Sequence, residues 1–196
     1  MKRWVKAITG GLALCVLLQV CGFAGSSEGI RQRVVRLHVL AHSDSAEEQA
    51  LKLQVRDAVS AEATVLLSGI QGREAVLARL EDVLPRLQAV AQQCVTDAGY
   101  THTVTAELAK TYFTTRVYES GTYPAGVYDA LRLTIGDGAG RNWWCVLYPP
   151  LCVSAAMEAP TAEEVLTDGQ RAVVQTPSYA VRFKLVEWWE ALIHKQ

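Results

Sequence analysis

His38 and His42 stand four residues apart, the spacing that sets two imidazoles over one metal ion when a segment is helical. Their surroundings read as a strand, however, where residues i and i+4 lie about 13 Å apart. No cysteine or carboxylate cluster completes a ligand set. His42, Ser43 and Asp44 hold the residue types of a hydrolytic triad, yet adjacency in sequence is not triad geometry. Ser43 also lacks the G-x-S-x-G turn that exposes a nucleophile. Ser and Asp just ahead of a helix are caps. Glu107 and Asp129 fall on predicted strands, with nothing to bring them together as acid and base. Gly136 to Gly140 lacks the Lys-Ser/Thr ending of a phosphate loop and reads as a hairpin turn. The residues point to no catalytic group, no metal and no cofactor.

Contact chemistry is better represented. Trp143 and Trp144 are consecutive on a predicted strand, so their indoles face opposite sides. If one side is open, that Trp beside Tyr128 or Tyr148 makes a patch of the kind enriched in protein interfaces. The contact candidates are Trp143, Trp144, Tyr148, Pro149 and Pro150. Cys145 and Cys152 flank the turn that holds the two prolines. A bridge closing so short a loop would stabilise the fold by roughly 2–3 kcal/mol. Cys94 falls on the apolar stripe of a predicted helix, where an unpaired thiol packs as a small hydrophobe. The reading is therefore Cys145 paired with Cys152, and Cys94 free.

These groups need elements to hold them. Val35, Leu37, Val39 and Ala41 alternate with Arg36, His38 and Leu40, the period of a half-buried strand. Ser45 and Glu48 have capping-box spacing, so a helix starts there. Its stripe is Leu51, Val55, Val59, Ala63 and Leu66, with Glu48 and Lys52 as an i,i+4 pair on another face. A second amphipathic helix runs from about Arg73 to Ala98 on Val76, Leu80, Leu84, Leu87, Ala91 and Cys94. Pro85 kinks it or marks a restart. β-Branched and aromatic residues then predict strands over Thr103–Leu108, Tyr112–Tyr118, Tyr128–Ile135 and Asn142–Tyr148. Residues 154–177 read as a connector. Phe183, Leu185, Val186, Trp189 and Leu192 suit a short C-terminal helix. The predicted fold is α+β, with two amphipathic helices packed on an antiparallel sheet of about four strands.

The N-terminus is read by its flanks. Met1-Lys2-Arg3 precedes the apolar run Ala7 to Val20, and small residues follow at Gly22, Ala24 and Gly25. That is the layout of a secretory signal, with cleavage expected after Ala24. Ala7 to Ala24 is also about long enough to stay as a membrane anchor, and Leu18 to Cys21 faintly resembles a lipoprotein signal. The chain thus divides into 1–24, signal or anchor; 25–29, linker; 30–153, the α+β domain; and 154–196, connector and C-terminal helix. Net charge is −1 over 196 residues. Lys2, Arg3 and Lys6 are three of the 19 basic residues; without them, 16 face 20 acidic ones, a net of −4. A mildly acidic domain has no broad electrostatic reason to bind nucleic acid.

Two stretches go further. Arg36 to Ser45, R-L-H-V-L-A-H-S-D-S, continuing into Gln49 to Asp57, resembles the opening of the stage II sporulation protein R family. Tyr123 to Gly138, then Gly140 to Cys152 with its N-W-W-C and P-P-L-C runs, resembles the family's later signature. Family members usually carry Asn where this chain has His42, so no side-chain role is carried over to that position; Phe often stands at Tyr148. The resemblance implies a non-enzymatic signalling protein exported from the forespore into the space between forespore and mother cell. Its implied partner is a membrane-embedded aspartic protease of the mother cell, which then processes the pro-form of sporulation sigma factor E. Exported cell-wall hydrolase and carbohydrate-binding accessory protein are the rival readings.

Overall fold

The computed structural model describes residues 4, 8–11, 14, 25, 27–118, 121–149 and 165–175. In chain order the elements are β1 (Val35–Leu40), α1 (Ala46–Leu66), α2 (Arg73–Asp97), β2 (Val104–Phe113), β3 (Arg116–Tyr118), β4 (Gly121–Tyr123), β5 (Gly126–Ile135), β6 (Asn142–Tyr148) and α3 (Asp168–Gln175). They fall into two compact units. The larger comprises Gln32–Phe113 and Val127–Leu166; the smaller comprises Met1–Arg31, Thr114–Gly126 and Thr167–Gln196.

The larger unit is a four-stranded sheet, ordered β2-β5-β1-β6, with α1 and α2 packed on one face. Leu37 and Val39 of β1, Leu131 and Leu133 of β5, and Cys145 and Leu147 of β6 meet Leu51, Val55 and Val59 of α1 and Leu80, Leu87 and Ala91 of α2. Each fully buried Val or Leu contributes about 1.5–3 kcal/mol against the ordering cost. This is the α+β architecture the sequence predicts. One expectation fails in detail: β1 is antiparallel to β6 but parallel to β5. Between β1 and β5 the chain makes both helices, β2, β3 and β4, the long crossover that a parallel neighbour requires. On the other side of β5, links run from Lys110 to Asp129, Glu107 to Arg132 and Thr103 to Gly136. Numbers fall on β2 as they rise on β5, so that pair is antiparallel.

α1 starts where the capping-box spacing puts it, and α2 stops just ahead of Gly99. Ser45 Oγ accepts the Glu48 N–H at 3.2 Å and caps α1. Glu48 does not return the bond, nor does it pair with Lys52 on an outer face. It is buried and meets His102, while Lys52 reaches Gln49 Oε1 and the Arg141 carbonyl. α2 runs unbroken through Pro85, so there is no restart. It ends in a Schellman turn, Tyr100 N–H to Val95 and Gly99 N–H to Thr96, with Gly99 at φ 84°.

The strand expected over Tyr112–Tyr118 divides. Tyr112 and Phe113 end β2, and Arg116–Tyr118 forms β3, paired antiparallel with β4 in the smaller unit. There α3 lies against β4 so closely that a Cβ on Gly121 would sit 2.8 Å from the Val174 carbonyl oxygen. Only glycine fits that approach. Arg31 pairs with Glu28 at 2.7 Å and donates to the Ala125 carbonyl at 2.9 Å. α3 occupies part of the stretch read as connector; the helix expected over 183–192 lies outside the described residues. So does most of the apolar run of 1–24. Among the described residues, no helix is long and apolar enough to cross a membrane.

Candidate functional site

β1 is buried on both faces, which the alternating pattern does not announce. Arg36 is 0% exposed and His38 5%, where a half-buried strand would have turned them to water. The cause is its central place in the sheet and an aromatic layer on the face away from the helices. The Arg36 guanidinium lies 4.3 Å from the Phe113 ring centroid and 5.0 Å from that of Tyr128, and its Nε donates to the Cys145 carbonyl at 2.8 Å. Such stacking holds a buried cation better than apolar aliphatics would. His38 stacks on Trp144 with centroids 4.0 Å apart and planes 9° apart. Burial pushes the His38 imidazole below the usual histidine range; nearby Asn142 opposes this and the charge of Arg132 adds to it.

The two tryptophans face opposite sides, as consecutive strand residues must. Trp144 joins the aromatic layer, 4.7 Å edge-to-face from Phe113. Trp143 lies on the helix side, half-buried, with the Arg56 guanidinium 4.5 Å over its ring. Tyr148 is 3% exposed, and its hydroxyl accepts the Gly72 N–H at 3.1 Å where α2 begins. Pro149 is buried and follows a cis peptide bond. Pro150 and Cys152 lie outside the described residues, and Cys145 is buried on β6. Of the contact candidates, Trp143 and Trp144 therefore keep accessible surface, while Tyr148 and Pro149 are buried. Tyr148 also borders a cavity of about 910 Å³ with Arg33, Gln71, Arg73 and Glu74. Sequence reasoning missed Arg33 and Arg73, because no motif marks a lone arginine for a cavity.

The polar residues that could have done chemistry are occupied in holding two chain segments together. The loop between β5 and β6 folds onto the segment that follows β1. Gly140 N–H donates to the Ala41 carbonyl at 2.9 Å and Ala139 N–H to the His42 carbonyl at 3.2 Å. His42 Nδ1 accepts the Asp137 N–H at 3.1 Å, and Asp44 Oδ1 accepts the Arg141 N–H at 2.6 Å. Gln49 Nε2 secures the Ser43 carbonyl at 2.8 Å. His42, Ser43 and Asp44 therefore act as loop and cap chemistry. Burial depresses the Lys52 ammonium, Arg141 acting in the same sense and Asp44 opposing.

The remaining candidates stay apart. His38 joins the aromatic layer, whereas His42 stacks on His102. Glu107 pairs with Arg132 at 3.4 Å; Asp129 is held by Arg73 and, at 3.3 Å, by Lys110. Among the described residues no group of three His, Cys, Asp or Glu could hold a metal ion. Cys94 is free and half-buried on α2. Burial, then the charges of Asp97 and Asp57, push its thiol up, which keeps it a poor nucleophile.

Against known proteins, residues 31–158 match the family model for stage II sporulation protein R. Stage II sporulation protein R of Bacillus subtilis (strain 168) is 39% identical over 123 residues, 63% of this chain and 55% of that protein. The chain thus matches about half the length of this curated relative. No solved structure matches.

Proposed function

The chain belongs to the stage II sporulation protein R family and so has a sporulation role; from that premise we propose that it is an exported signal between two cells. Residues 1–24 take the domain across the forespore membrane. In the space beyond, the folded domain engages the outer part of a membrane-embedded aspartic protease of the mother cell. Binding favours the protease's active arrangement, and the pro-form of sporulation sigma factor E is cut. A ligand shifts such an equilibrium only by its differential affinity for the two arrangements, so the contacts must differ between them. One observation carries the reading that the domain signals through its surface. The polar residues of the first signature segment bond to the β5–β6 loop in the middle of the second, which leaves them to shape a face. We place the contact around Trp143 and Trp144, and pair Cys145 with Cys152.

The test is co-expression, in a host that lacks sporulation genes, of the full chain, the receptor-protease and its pro-sigma substrate. Processing that needs this chain is the expected result; processing equal without it would sink the proposal. Trp144→Ala should reduce processing at least tenfold per folded molecule. For the disulfide, Cys145→Ser and Cys152→Ser should each lower Tm by a similar amount in oxidising buffer, on the scale of about 2.5 kcal/mol for so short a loop. In reductant each should match the wild type. Equal losses in both buffers would mean that the serine, not a broken bridge, does the damage.

A further inference from the structure

His42 and His102 lie ring on ring, with centroids 4.1 Å apart and planes 24° apart, and Tyr100 continues the stack 5.7 Å from His102. The two imidazoles have partners of opposite kind. His102 Nε2 lies 2.7 Å from Oε1 of Glu48, a carboxylate on α1 that is only 7% exposed. A charged His102 therefore has its counter-ion in place. His42 Nδ1 instead meets a donor, the Asp137 N–H at the tip of the β5–β6 hairpin. A ring nitrogen that accepts carries no proton, so this contact requires the neutral tautomer of His42 with its proton on Nε2. The Asp137 carboxylate is 3.8 Å from the same Nδ1.

We propose that His42 is an acid-released latch on the β5–β6 hairpin, switching from the amide of Asp137 to its carboxylate when it takes up a proton. Histidine is the side chain whose ordinary titration falls between pH 5 and 8. A proton on Nδ1 confronts the Asp137 N–H and breaks the bond. The carboxylate beside it then becomes the better partner. The charged groups on the neighbouring elements are Glu48 and Lys52 on α1, His102 in the turn before β2, Asp137 and Arg141 on the hairpin, and Asp44 in the segment after β1. When His102 is charged against Glu48, a second charge on His42 faces it across the stack, and moving the His42 ring relieves that. The hairpin cannot ignore the movement. A Cβ on Gly136 would sit 2.4 Å from His42 Nδ1, so backbone lies against the ring. Ala139 and Gly140 hang from the carbonyls of His42 and Ala41. The latch does not depend on the receptor-protease reading.

Amide hydrogen exchange on the full chain tests it. After correction for intrinsic rates, protection at Asp137, Ala139 and Gly140 should fall between pH 7.5 and pH 5 at least tenfold more than protection at Leu37 and Val39 does. His42→Asn keeps an acceptor that does not titrate, so its hairpin should lose no more protection than Leu37 and Val39 do. Unchanged protection in the wild type, or an equal loss in His42→Asn, would overturn the latch. Should that variant not fold, the wild type alone decides by NMR. One shared midpoint for the His42 Cε1 proton and the Asp137 amide supports the latch; separate midpoints end it.

Discussion

Burying an imidazole costs free energy, and His38 is only 5% exposed. What it gains is the face-to-face stack on Trp144 and a place in the layer with Phe113. The neutral form is the one that tolerates this, which is why burial depresses its pKa. The unfolded chain, with His38 near its ordinary 6.5, binds the proton first. The His38 contribution is therefore whole above that value and is lost as pH falls from there toward the folded pKa, by up to about 1.4 kcal/mol per pH unit. His38→Phe keeps the ring and discards the titration. We expect its stability, from urea unfolding at pH 7.5, 6.5 and 5.5, to fall less steeply than the wild type's. Running both on a His42→Asn background removes the latch from the comparison. Parallel slopes would mean that His38 does not set the acid sensitivity.

At the scale of elements, α2 accepts a residue that helices usually refuse. Pro85 cannot donate to Glu81, and its ring crowds the turn before it, yet the helix continues to Asp97. The stripe explains why. Leu80, Val83, Leu87, Ala91 and Val95 are buried on one face, whereas position 85 is exposed, so packing on both sides bridges the defect. Pro85→Ala should restore the missing bond without disturbing the core. An interior proline costs about 3 kcal/mol relative to alanine, offset in part by the stiffness it gives the unfolded chain, 0.4–1 kcal/mol. We expect a net gain of roughly 2 kcal/mol, seen as a rise in Tm; a fall would show that the proline shapes the packing. The helices were legible in the sequence because 3.6-residue stripes and end signals such as Ser45 and Gly99 are local. The parallel β1–β5 pairing was not, because strand direction is settled by the crossover and not by alternation. Arg36 and His38 misled for a related reason: period two shows that two faces differ, not that the second is open. The contact candidates were half-legible. The tryptophans' opposite facing follows from the pleat, but the burial of Tyr148 depends on Gly72, 76 positions away.

For the whole molecule, the proposal is a division of labour along the chain. The family match begins at residue 31, beyond the stretch that holds Lys2, Arg3, Lys6 and the apolar run. If that stretch only delivers the domain, its sequence should matter less than its class. Replacing residues 1–24 with an unrelated cleavable signal should leave pro-sigma processing within about twofold. Deleting them should leave a folded protein in the producing cell and reduce processing at least tenfold. Changing Lys2, Arg3 and Lys6 to Glu should retain the protein inside, because the basic flank orients an apolar segment in the membrane. The mass of the exported chain separates signal from anchor, since cleavage after Ala24 removes 24 residues and an anchor keeps them. A chain confined to the cytosol that still triggers processing would break the argument at its root, because the domain would then act without ever meeting the outer face of its proposed receptor.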